Sequence, residues 1–88
     1  MIRQICWVER QPDGIKREVR VAFHGGRIKW QFKRADRPAW DYDSPADASD
    51  WDALLQRVED RYQRRNVAYK DVELTRRCRA AALGLPPS

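Results

Sequence analysis

Lys16, Arg20, Arg27, Lys29 and Lys33 fall at even spacings within two short segments of alternating hydropathy, and Arg3 and Trp7 lie in a third such segment upstream. In an extended strand, residues two apart share a face, so this spacing gathers positive charge on one side of a sheet. Ammonium and guanidinium groups in such an array displace counterions from a phosphate chain, and an aromatic ring among them stacks on an unpaired base or covers a sugar. The chemistry is polyanion binding, with Lys16, Arg20, Lys29 and Lys33 on phosphates and Trp7 on a base or sugar. Arg3 and Arg27 complete the candidate set.

Other chemistries find little support. Catalysis needs convergent titratable groups in a cleft, and the chain has one histidine, His24, placed in a tight turn, with no glycine-rich phosphate loop and no nucleophile signature. Asp41, Asp43, Asp47, Asp50 and Asp52 resemble a calcium loop in composition, but the central glycine and the terminal glutamate that such a loop requires are missing. No enzyme activity, metal or cofactor is expected.

The elements that must position the cations follow from the turn signals. His24-Gly25-Gly26-Arg27 suits a two-residue hairpin, which needs positive φ at both central positions. Counting outward from it sets Phe23 against Ile28, Val21 against Trp30 and Val19 against Phe32 on one face, with Glu18 against Lys33 and His24 against Arg27 on the other. A first strand, from about Ile2 to Arg10, connects through Gln11-Pro12-Asp13-Gly14. A loop of two or four residues there points Cys6 and Val8 inward and leaves Ile5 and Trp7 on the basic face. Residues 35–48 hold two prolines and no period, so they read as a long loop whose Trp40 and Tyr42 pack over a sheet edge.

Ser49 or Asp50 is placed to cap the next helix. Its apolar stripe is Trp51, Leu54, Leu55, Val58 and Tyr62, at helical spacing. After a break near Asn66 and Val67, a second stripe of Leu74, Cys78, Ala81 and Ala82 runs to a stop at Gly84. The expected fold class is α+β: a three-stranded antiparallel sheet with two C-terminal helices packed on one face (βββαα), a single domain across residues 1–88. That architecture resembles three-stranded DNA-reading domains and the sheet face of RNA-binding modules, without an RNP aromatic pattern, a GXXG clamp or zinc spacing.

Composition is consistent with that reading. The net charge of +5 is segregated: residues 1–34 carry 9 basic and 3 acidic groups, residues 35–60 carry 2 and 8, and residues 61–88 carry 7 and 2. Arginine supplies 14 of the 18 basic residues, a bias that a GC-rich bacterial genome would also produce. The longest apolar run is Ala80 to Leu83, too short for a membrane span, so a cytoplasmic protein is expected. Cys6 and Cys78 read as buried, reduced thiols. The expected role is a small nucleic-acid-binding accessory or regulatory domain, acting on DNA or RNA through its sheet face. The alternative is a protein-binding adaptor, inhibitor or homo-oligomeric subunit, a homodimer for example, whose basic face meets an acidic protein surface.

Overall fold

The computed structural model describes residues 4–86. Strands β1 (Gln4–Arg10), β2 (Lys16–His24) and β3 (Arg27–Arg34) form one antiparallel sheet in sequential order, followed by helices α1 (Ala48–Gln63) and α2 (Tyr69–Leu83). The chain is an α+β βββαα fold. Gly25 and Gly26, at φ 56° and 75°, form the β2–β3 turn, and the pairing is the one counted from the sequence: Phe23 with Ile28, Val21 with Trp30, Val19 with Phe32.

The first hairpin differs. Arg10 pairs with Lys16, and the Gln11 amide donates to the Ile15 carbonyl at 2.9 Å. The loop is therefore three residues, Pro12, Asp13 and Gly14, with Gly14 in the left-handed region at φ 88°, a common hairpin geometry. An odd loop slides β1 by one position against the even loop expected, and a one-residue slip turns every side chain to the opposite face. Ile5 and Trp7 consequently lie opposite Val21 and Val19, on the inner face, and Trp7 is only 8% exposed. Cys6 and Val8 point outward, with Val8 59% exposed. The inward placement of Cys6 and Val8, and the outward placement of Ile5 and Trp7, are both corrected by this register.

The helices cover the inner face. Trp30 is the hub: its ring meets Trp7 edge-on at 6.1 Å, stacks on Phe32 at 5.8 Å and meets Trp51 of α1 edge-on at 5.1 Å. Leu54 and Val58 complete the α1 contribution, both fully buried, and each such side chain contributes about 1.5–3 kcal/mol by leaving water. Leu55 is half-buried, and Tyr62 is exposed, resting on Tyr69 across the break at 5.3 Å. The break itself is Arg65, a non-glycine residue at φ 61°.

Helix α2 is rotated relative to the expected stripe. Val72 and Thr75 are buried, Leu74, Cys78 and Leu83 pack beside them, and Ala81 and Ala82 face solvent. Thr75 can be buried because its hydroxyl donates to the Asp71 carbonyl one turn back, at 2.8 Å, leaving no unpaired polar group. Cys6 is exposed, not buried, and both cysteines are free.

The cap of α1 lies earlier than Ser49 or Asp50. Asp47 accepts from the Asp50 amide at 2.9 Å, and the Asp50 carboxylate accepts from the Asp47 amide at 3.1 Å, a reciprocal capping box. Asp47→Ala should lower unfolding stability by about 1 kcal/mol, read as a shift in the urea midpoint at constant slope.

Candidate nucleic-acid interface

The sheet face turned away from the helices is set by the register. From β2 and β3 it receives Lys16, Glu18, Arg20 and Ala22, then Arg27, Lys29, Gln31 and Lys33, with His24 at the turn. From β1 it receives Gln4, Cys6, Val8 and Arg10. Five candidate cations, Lys16, Arg20, Arg27, Lys29 and Lys33, are thus brought onto one surface. Arg10, paired with Lys16, joins them; the same register shift that removes Trp7 from this face supplies it. Arg3 lies outside the described residues. Six Lys/Arg side chains therefore share the face with one carboxylate, Glu18.

The missing aromatic comes from the long loop. Asp41 forms a single bridge to Phe32 of β3, with amide-to-carbonyl distances of 3.0 and 2.6 Å. This seats the loop along the edge of β3 and brings Trp40 against Arg20, whose guanidinium carbon lies 4.2 Å from the ring centroid. Arg20 is further held by donating to the Gln31 side-chain oxygen at 3.3 Å. Trp40 is half-buried and Tyr42 is 63% exposed. Between Cys6, Val8, Glu18, Arg20 and Trp40 is a shallow hollow of about 170 Å³. The sequence pattern predicts Trp40 over a sheet edge and Trp7 as the aromatic of the basic face; the register buries Trp7 and leaves Trp40 in that place. The signal for Trp40 was the position of Asp41, which has no distinctive sequence mark.

Four arginines elsewhere are committed to carboxylates. Arg17, on the inner face, bridges Glu9 and Asp50 while its guanidinium lies over Phe32. Arg34 holds Asp13 and Asp36, Arg76 holds Glu59 and Arg79 holds Asp52. A groove of about 580 Å³ beside Phe32 is lined by Arg17, Arg34 and Arg37, but the first two already face carboxylates. Among the described residues, none of the six outer-face cations takes part in an ion pair. Nor do three His, Cys, Asp or Glu side chains gather there as a metal site. Among the same residues, no helix is long and apolar enough to cross a membrane.

The carboxylates contribute a pH dependence. Arg34 donates to Asp13 and to Asp36 and holds both below the usual 3.8; the Ser44 hydroxyl does the same for Asp41, and the Asp50 amide for Asp47. A carboxyl whose folded pKa is depressed stabilises the fold above its unfolded pKa, and that contribution disappears as pH falls through the folded value. Asp50 acts in the opposite sense, because burial pushes its carboxyl up against the pull of the Asp47 amide and Arg17. Four groups against one should leave the melting temperature level from neutral pH to about 5 and lower it below about 4, a profile that calorimetry across pH would record.

No protein-family model, curated protein or solved structure matches this chain.

Proposed function

We propose that the protein is a small nucleic-acid-binding accessory or regulatory domain of the bacterial cytoplasm, using the outer sheet face as its contact surface. The observation that carries this reading is the concentration of like charge on the outer face: six Lys/Arg side chains share it with one carboxylate, Glu18, and none of the six is in an ion pair. Lys16, Arg20, Lys29 and Lys33 contact phosphates, with Arg10 and Arg27 at the ends of the hairpins extending the track. Trp40, carrying the Arg20 guanidinium on its ring, replaces Trp7 as the stacking surface for a base or sugar. A polar outer face also keeps a one-layer sheet soluble, but solubility is served equally by mixed charge, whereas six cations to one carboxylate form a field of one sign.

Titrating labelled single-stranded and duplex oligonucleotides at several salt concentrations tests the reading. Four phosphate contacts give a slope of log K against log salt of about −3.6 on duplex DNA, an affinity loss of roughly 150-fold between about 50 and 200 mM salt. Absence of binding to DNA and RNA at low salt would remove the reading and leave an acidic protein surface as the partner of this face.

A further inference from the structure

β1 is an edge strand, and its two charged residues, Glu9 and Arg10, sit at its C-terminal end, with Glu9 held by Arg17 on the inner face. Over Gln4–Arg10 it pairs with β2 residue for residue, without a bulge, and it contains no proline, glycine or lysine. The opposite edge of the sheet is different, because the Asp41 bridge occupies β3 at Phe32. Pairing through β1 alone closes on itself by a twofold axis and does not propagate. The exposed apolar residue on that edge is Val8, beside exposed Cys6.

We infer that the protein is a homodimer in which the β1 strands of two copies pair antiparallel, giving a six-stranded sheet of order β3-β2-β1-β1-β2-β3. The register follows from face parity and strand length. Residues opposite one another must share a face, so that the helices of both copies stay on one side. Of the registers this allows, centring the axis at Trp7 pairs all seven residues of β1. Cys6 of one copy then lies opposite Val8 of the other, twice, covering the apolar pair. Gln4 meets Arg10, so no like charges oppose each other on the outer face. Shifting the axis to Cys6 would leave Glu9 and Arg10 without described partners, and shifting it to Val8 would set Cys6 against Arg10. The dimer places two copies of the basic face side by side in a continuous surface about 24 Å across the strands. Its formation does not depend on nucleic acid, so it stands or falls separately from the proposed function.

Light scattering on the nucleic-acid-free protein should give twice the chain mass, and Val8→Lys should weaken association at least tenfold. Val8 is mostly in water in the single chain, so this variant should keep the circular dichroism of wild type. Register is read by mild oxidation in a Cys78→Ala background. Opposite positions in antiparallel strands lie within disulfide reach, whereas residues displaced by two along the strand lie beyond it. V8C should therefore yield a covalent dimer under conditions that leave Cys6 alone uncrosslinked. A single-chain mass for the wild type at all concentrations would overturn the dimer, and cross-linking through Cys6 alone would overturn the register.

Discussion

The variant combining Lys16→Gln, Arg20→Gln, Lys29→Gln and Lys33→Gln should bind oligonucleotides about a thousandfold more weakly than wild type at roughly 100 mM salt while remaining folded. Each of these side chains lies on the outer face and none is in an ion pair, so their removal breaks no paired charge. Surface lysine substitutions of this kind usually change stability by no more than about 0.5 kcal/mol each, and Arg20→Gln also gives up the stack on Trp40 and the bond to Gln31. What is lost is counterion release: each phosphate neutralised contributes about 0.9 to the exponent of salt, so four contacts carry a factor of several thousand between 1 M and about 0.1 M. The variant's residual binding should also lose most of its salt dependence. A matched variant, Arg61→Gln, Arg64→Gln, Lys70→Gln and Arg77→Gln, removes equal charge from the exposed helix side and should retain most of the affinity. Equal losses in the two variants would mean that total charge, and not the sheet face, governs binding.

The second large effect concerns stability. Arg17→Met should destabilise the fold by roughly 3–5 kcal/mol, the usual cost of leaving a buried charge without its partner. That is a large part of the total for a domain of this size, for which about 5–15 kcal/mol is typical. Asp50 is 2% exposed and sits at the first turn of α1, where it completes the capping box and receives Arg17 from β2. The same guanidinium holds Glu9 of β1, so one side chain joins β1, β2 and the start of α1. In the variant, an ionised Asp50 remains buried with only the Asp47 amide to stabilise it. Protonation relieves that cost, and burial already pushes this carboxyl upward. The deficit relative to wild type should therefore shrink as pH falls from neutral toward about 4. Adding Asp50→Asn to Arg17→Met should recover part of the loss at neutral pH, since asparagine retains an acceptor for the Asp47 amide without the charge. Urea unfolding of the two variants at neutral and acid pH measures both effects.

The legibility of this fold varied with how local its determinants are. The β2–β3 hairpin was readable because two adjacent glycines fix both the turn type and the register, and with them the common face of Lys16, Arg20, Arg27, Lys29 and Lys33. The orientation of β1 hinged on whether its loop is odd or even. Gly14, at the third loop position with positive φ, is the residue that settles it, and a pattern of Ile5, Cys6, Trp7 and Val8 in unbroken succession gives no alternation to choose a face. Trp7 was misplaced and Arg10 missed for that one reason. Helix α1 was readable from its strong stripe, whereas α2 buries Thr75 through an internal hydrogen bond that residue type alone does not announce. Contacts between distant residues, Arg17 with Asp50 and Arg20 with Trp40, arise only once the sheet and loop are assembled.

The four lysines allow a direct test of which surface meets the polyanion. Lys16, Lys29 and Lys33 stand on the outer sheet face, and Lys70 stands on α2. Acetylation rates at each can be measured by mass spectrometry with and without a saturating oligonucleotide at low salt. Contact through the sheet requires slowing at Lys16, Lys29 and Lys33 with Lys70 unchanged; protection at Lys70 alone, or none at the three sheet lysines, would contradict it.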